Sequence, residues 1–174
     1  MGFPFEQVSW PAGADNMGGL STVAYFAPAS AIMQMPEFDP KDGITRKGEF
    51  KMAQGTCFVS IYVTYGTASL SSEPAGEADC RCSKLTGEFF HPGSTPEAAT
   101  FARAVQNTQG VFAFRDTSGR IRLVGDVVNT ATVKAKHETG KKPDDRKGWT
   151  IAFEAYSERP ITFFEGEIPT TPAP

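Results

Sequence analysis

The segment that decides the fold class is Cys57-Phe58-Val59-Ser60-Ile61-Tyr62-Val63-Thr64-Tyr65. It is rich in β-branched and aromatic residues, which favour extended backbone. Because alternate side chains of an extended chain point to opposite faces, one face holds Cys57, Val59, Ile61, Val63 and Tyr65. The other face holds Phe58, Ser60, Tyr62 and Thr64. This alternation predicts a half-buried β-strand over residues 57–65.

A β-hairpin is predicted further along the chain. Two β-prone runs, Val111–Arg115 and Arg120–Gly125, are separated by the turn-forming residues Asp116-Thr117-Ser118-Gly119. Because the register of a hairpin is mirrored across its turn, this turn predicts which side chains share a face. Phe112 and Phe114 are expected on the same face as Ile121 and Leu123.

Other β-prone segments surround these two. They are Leu20–Phe26, Asp79–Phe90, Val127–His137, Trp149–Tyr156 and Ile161–Glu165. In the Trp149–Tyr156 segment, alternation predicts one shared face for Trp149, Ile151, Phe153 and Ala155. Segments rich in proline, glycine or charge are predicted to be loops: residues 36–48, residues 66–78 (a loop or loose hairpin) and the solvated stretch Glu138–Lys147.

One helix is predicted, over Pro96–Asn107. Its apolar residues recur at helical spacing and form one stripe, consisting of Ala98, Phe101, Ala102 and Val105. The preceding Ser94-Thr95-Pro96-Glu97 is typical of a capping box with proline in the first turn, and Gly110 follows as a stop signal. Since only one face is apolar, the helix is expected to lie on a larger body, anchored by Phe101.

The length of 174 residues fits one domain. We expect an N-terminal arm over residues 1–19, a single β domain over residues 20–168 and a flexible C-terminal tail over residues 169–174. The arm combines glycine and proline with Phe3, Phe5 and Trp10, so it is expected to pack against something such as a neighbouring subunit. The predicted fold class is mainly β: an antiparallel β-sandwich or barrel flanked by one short α-helix, with an extended N-terminal arm and loops.

Charge and cysteine content limit the classes of function. The 17 Lys and Arg residues against 20 Asp and Glu residues give a net charge of −3, which disfavours tight nucleic-acid binding. No apolar stretch approaches the roughly 18 residues of a membrane span, and the N-terminus does not resemble a signal peptide. Three cysteines make no even disulfide framework, which favours a reducing cytoplasm and three reduced thiols.

No residues are predicted to form a catalytic, cofactor or metal site. Cys80 and Cys82 are separated by one residue, with His91 nearby, and this is not the spacing of a zinc site. We interpret these cysteines as small buried apolar residues. His91 and His137 are the only histidines, and neither lies near a nucleophile elbow. The mixed charges of residues 141–147 favour a solvated or intersubunit loop over a phosphate site. The chain is therefore not expected to be an enzyme.

The order of elements over residues 79–168 carries a resemblance. A strand over Lys84–Phe90 is followed by the helix, the hairpin Val111–Gly125 and a strand that ends near Glu138-Thr139-Gly140. Next come Asp145-Arg146-Lys147-Gly148-Trp149-Thr150-Ile151-Ala152-Phe153-Glu154-Ala155 and then Pro160-Ile161-Thr162-Phe163-Phe164-Glu165-Gly166. In this order and spacing the segment resembles the major tail tube proteins of long-tailed bacteriophages. Their fold is shared with the tube proteins of contractile injection systems.

The resemblance implies a structural virion protein that assembles into stacked hexameric rings. The rings form the tail tube, the conduit for DNA delivery into the host. The implied partners are other copies of the chain, the tape measure protein and the tail terminator and distal tail proteins. DNA would only pass through the lumen, and no membrane would be involved. The implied location is the virion tail, after assembly in the host cytoplasm.

Two other classes of function remain open at this point. One is a β-sandwich binding or adaptor module of a phage particle, recognising carbohydrate or protein. The other is a small β-barrel enzyme. Both are expected to be monomeric or dimeric, whereas a tube subunit forms rings or polymers.

Overall fold

A computed structural model describes residues 5–174 of the chain; Phe3 of the predicted arm lies outside the described residues. The strands are β1 Leu20–Pro28, β2 Ile32–Gln34, β3 Glu37–Phe38, β4 Thr45–Lys47, β5 Lys51–Met52, β6 Val59–Tyr62, β7 Ser69–Ala75, β8 Cys82–Pro92, β9 Gly110–Asp116, β10 Ile121–Val124, β11 Thr132–Glu138, β12 Gly148–Ser157 and β13 Phe163–Glu165. The α-helix is α1 Pro96–Val105, and Ala29–Ala31 forms a 3-10 turn.

The strands form open sheets that pack face to face. A seven-stranded sheet has the order β3-β4-β13-β10-β9-β1-β6, a four-stranded sheet has the order β11-β12-β8-β7, and β2 pairs with β5. All pairings are antiparallel except that of β13 with β4. The predicted mainly β sandwich with one short helix is confirmed. Within residues 5–174 the sheets stay open and do not close into a barrel.

The β9–β10 hairpin lies at the centre of the molecule and is buried on both faces. One face contributes Phe112, Phe114 and Val124 to a core shared with the four-stranded sheet and α1. The opposite face contributes Val111, Ala113, Ile121 and Leu123 to a second core. Phe50, Phe58 and Phe164 close that second core. The seven-stranded sheet is therefore the middle layer of the fold.

The predicted register of this hairpin is wrong by one residue. Ile121 pairs with Arg115, and Val124 pairs with Phe112. Phe112 therefore shares a face with Val124, and Ile121 and Leu123 lie on the opposite face. The connection spans residues 116–120 instead of four residues, and a shift of one residue exchanges the two faces of a strand.

The structure differs from the sequence predictions in three further places. Val59 is 45% exposed although Ile61 and Val63 are buried as expected, because β6 is an edge strand that begins only at Val59. Residues 66–78, predicted as a loop or loose hairpin, contain β7, which forms a hairpin with β8. The predicted loop 36–48 contains β3 and β4.

Several predicted boundaries also differ from those of the structure. The strand predicted over Val127–His137 begins at Thr132, because Asp126 Oδ1 accepts hydrogen bonds from the Val128 and Asn129 amides and forms a turn. The helix ends at Val105, and Thr95 caps it by accepting a hydrogen bond from the Ala98 amide at 3.3 Å. In β12 the predicted face is confirmed, since Ile151, Phe153 and Ala155 are buried.

The two ends of the chain behave differently. Residues 5–19 form no strand or helix and are exposed almost throughout. The C-terminal tail makes three backbone hydrogen bonds to residues 55–58, including Phe58 N–H to the Pro169 carbonyl at 2.8 Å. These bonds attach the tail to the second core. In the described part of the arm, the Met17 carbonyl accepts from Thr117 Oγ1 and the Gly19 carbonyl accepts from the Thr117 amide.

Candidate assembly surfaces

The four-stranded sheet has two edges of equal length. β11 forms one edge and β7 the other, and each has seven residues. Within residues 5–174, no hydrogen bond reaches the outer side of either strand. A strand edge of this kind presents backbone donors and acceptors that can pair with another chain. Sequence reasoning missed β7, because Ser69–Ala75 is polar and lacks a strong β pattern.

The outer face of this sheet is polar. Register places the following residues on it: Ser69, Ser71, Glu73, Ala75, Lys84, Thr86, Glu88, Phe90, Thr132, Lys134, Lys136, Glu138, Thr150, Ala152, Glu154 and Tyr156. Its four glutamates and three lysines give a net charge of −1. The charge of Glu154 raises the pKa of Lys84, and hydrogen bonding with Lys136 lowers the pKa of Glu138. The face therefore stays hydrated without carrying an excess of positive charge.

Both histidines flank Trp149 on the inner face of the same sheet. His91 and His137 are its cross-strand neighbours, and the rings of His137 and Trp149 are 4.8 Å apart. His137 Nε2 lies 2.6 Å from Ser94 Oγ, and His91 Nδ1 donates to the Tyr62 carbonyl at 2.8 Å.

The Ser94–His137 contact resembles the first two members of a catalytic triad. A triad also needs a group that orients the histidine. Within residues 5–174, no carboxylate forms an ion pair or hydrogen bond with His137. Sequence reasoning missed the contact because its members lie 43 residues apart. The contact joins the start of α1 to β11.

In the described part of the chain, the cysteines and the charged loop form no metal-binding cluster. Cys57, Cys80 and Cys82 are free thiols, and Cys80 is exposed, not buried as interpreted from the sequence. Residues 5–174 contain no cluster of three or more potential metal ligands. In the loop, Asp145 accepts hydrogen bonds from the Lys141 and Lys142 amides, and both bonds lower its pKa. None of the helices in residues 5–174 is long and apolar enough to span a bilayer.

An apolar groove of about 460 Å³ runs between β6 and α1. Val59, Ile61 and Tyr62 form one wall, Ala98, Phe101 and Ala102 form the other, and Trp149 and Ile151 also line the groove. Its polar lining residues are Ser60, His91, Thr95, Glu97 and Thr100. Phe101 is only partly buried because it lies on this groove, and its ring meets the Phe26 ring edge-on at 5.7 Å. The groove therefore exposes apolar surface beside β6, an edge strand of the seven-stranded sheet.

Comparisons with protein-family models, with curated proteins and with solved structures give no match.

Proposed function

We propose that this chain is the subunit of a phage-type tail tube, which assembles by pairing the two edges of its four-stranded sheet. The observation that carries the proposal is the pair of open, equally long edges on a sheet whose outer face is polar. The resemblance over residues 79–168 supports the same assignment. The chain then has a structural role and needs no catalytic residues.

The strand order keeps the sheet antiparallel across the junction between neighbouring copies. Successive strands of the sheet are antiparallel, so β7 and β11 run in opposite directions. When the next copy is added by rotation about a ring axis, its β11 lies antiparallel to β7 of the first copy. Edge pairing of this kind is heterologous, because it joins two different edges. Such contacts close into a ring when the rotation between neighbouring copies is a whole fraction of a turn.

The charges on the two edges are complementary in the simplest register. Full overlap of Ser69–Ala75 with Thr132–Glu138 pairs outer-face residues only with outer-face residues. It places Glu73 of one copy opposite Lys134 of the next. Opposite charges directly across a strand pair are stabilising, and like charges are destabilising.

Six copies would give a barrel of 24 strands, which at about 4.8 Å per strand has a circumference of about 115 Å and a diameter of about 37 Å. We propose that the polar outer face lines the lumen of this barrel. A near-neutral lining lacks the basic patch that would retain DNA phosphates, so DNA would pass without specific binding. Further partners under this proposal are the tape measure protein and the terminator and distal tail proteins at the tube ends. The location is the virion tail, after assembly in the host cytoplasm.

The second candidate function is a binding or adaptor module of a phage particle. The apolar groove between β6 and α1 is the observation that favours it, since ligand sites are commonly concave and largely apolar. This candidate requires no self-association.

A charge-exchange experiment tests the edge pairing. Glu73→Lys places like charges opposite each other at the edge contact, so we expect assembly to need a several-fold higher concentration by light scattering. Lys134→Glu added to Glu73→Lys restores the pairing and should recover assembly. Glu88→Lys on β8 is the matched control, because Glu88 is exposed on the same face but one strand in from the edge. Equal assembly by Glu73→Lys and wild type would contradict the edge contact.

A further inference from the structure

Residues 5–10 of the N-terminal arm carry apolar side chains that are largely exposed within the described chain. Phe5 and Val8 are fully exposed within the described chain, and Trp10 is 65% exposed. Exposed apolar residues are ordinary when single, but several in one irregular segment indicate a surface that another body covers. The segment from Phe5 to Trp10 therefore presents an apolar surface that another molecule can bind.

The groove between β6 and α1 provides the complementary half. Its lining is mainly apolar, and Val59 and Tyr62 are among the exposed large apolar residues of the chain. The ten-residue helix is about 15 Å long, and six extended residues span about 20 Å. An extended segment the length of Phe5–Trp10 is therefore long enough to span the whole groove.

The β6 edge also offers unpaired backbone. The Val63 amide bonds the Thr22 carbonyl of β1 at 2.7 Å, so Ile61 and Val59 also direct their backbone groups toward β1. Ser60 and Tyr62 therefore direct theirs outward, and the Tyr62 carbonyl already accepts from His91. Within residues 5–174, no hydrogen bond reaches the Ser60 amide or carbonyl. An extended segment in the groove can pair with these groups as an added strand.

Trp10 lies outside the groove of its own chain. Trp10 lines a cavity beside Leu20, Leu70 and Asp116, at the first residue of β1. The groove lies further along that strand, where Tyr62 pairs with Val23 and Val59 pairs with Phe26. The two cavities share no lining residue. Trp10 is therefore not seated in the groove of its own chain, which leaves that groove open to the arm of a second copy.

We propose that residues 5–10 of one copy occupy the groove between β6 and α1 of a second copy, adding a strand to its β6 edge. This contact is separate from the β7 and β11 edges of the proposed ring. It needs only a second copy of the chain, so it can hold or fail independently of the tube.

Disulfide trapping tests the contact in the full chain. The background is Cys57→Ser, Cys80→Ser and Cys82→Ser, in which one chain carries Val8→Cys and a second, mass-tagged chain carries Val59→Cys. Each chain then has one thiol, so any disulfide joins two copies, and the tag separates the mixed dimer from the others. We expect the mixed dimer to form several-fold faster than with Val128→Cys, a control at another exposed valine.

Two results would overturn the proposal. One is an equal crosslinking rate at positions 59 and 128. The other is a double Val8→Cys, Val59→Cys chain that forms only an intramolecular bond, since this would place the arm in its own groove. Circular dichroism of each variant identifies any that fails to fold, and Tyr62→Cys then replaces Val59→Cys.

A charge substitution provides a second measurement. Val59→Lys puts an ammonium group in the groove and should weaken self-association several-fold in sedimentation, whereas Val128→Lys should not. Rings without the 8–59 crosslink would refute the arm contact and leave the tube account standing. The crosslink without rings would do the reverse.

Discussion

The side chain of Asp116 fixes the register of the central hairpin. Its Oδ1 accepts hydrogen bonds from the Ser118 and Arg120 amides, both at 3.0 Å. Burial acts to raise the pKa of this carboxyl, but these bonds and the Ser118 hydroxyl outweigh burial and lower it. The carboxylate thus holds the longer turn that places Phe112 opposite Val124, which composition alone did not indicate.

The aromatic core gives the first stability prediction. Phe112 is fully buried, and its ring stacks on Phe153 with centroids 4.8 Å apart. We expect Phe112→Ala to cost about 3–5 kcal/mol in unfolding free energy, the usual range for a buried phenylalanine. Phe101→Ala should cost clearly less, because Phe101 is only partly buried beside the groove. Chemical denaturation measures both, and equal losses would contradict the burial described.

The Asp39–Lys47 turn gives a pH prediction. Asp42 accepts hydrogen bonds from the Thr45 hydroxyl and from the Thr45 and Ile44 amides. The Thr45 hydroxyl bond is the largest cause of a pKa lowered from 3.8 to about 2. A carboxyl with a lowered folded-state pKa stabilises the protein above its unfolded pKa, and that stabilisation is lost as pH falls through the folded pKa.

The stability difference between wild type and Asp42→Asn should therefore be largest above pH 3.8 and shrink as the pH approaches about 2. Urea denaturation across this pH range measures it. A difference that does not change with pH would contradict the role of the ionised carboxylate.

At the scale of elements, the predictable parts are those whose local pattern agrees with their packing. β12 and α1 were predicted almost to the residue because each has one buried face. β7 was missed because Ser69–Ala75 gains its extended form from pairing with β8, a contact that local sequence does not encode. The groove was missed for a similar reason, since it is formed by residues from β6, α1 and β12.

The close packing of β7, β8 and β12 gives an element-scale prediction. A Cβ at Gly87 would collide with the Ser69 carbonyl oxygen and with the Phe153 ring. Gly87→Ala should therefore force the strands apart and cost about 1–3 kcal/mol, as overpacking does. Gly18→Ala is the control, since its Cβ would meet nothing within 4 Å. Thermal denaturation compares the two, and equal melting temperatures would refute the close approach.

At the scale of the whole molecule, the seven-stranded and four-stranded sheets differ in how much of their surface is covered. The seven-stranded sheet is covered on both faces and holds the two cores, so it provides stability. The four-stranded sheet is covered on one face only and leaves both edges unpaired among the described residues. In the proposed account, this second sheet is where one copy meets the next.

Negative-stain electron microscopy of the concentrated, purified protein tests this account most directly. We expect closed rings or hollow tubes of uniform diameter, formed by wild type at a lower protein concentration than by Glu73→Lys. A protein that remains monomeric at millimolar concentration, with no rings or tubes on the grid, would contradict the tube account and favour the binding module.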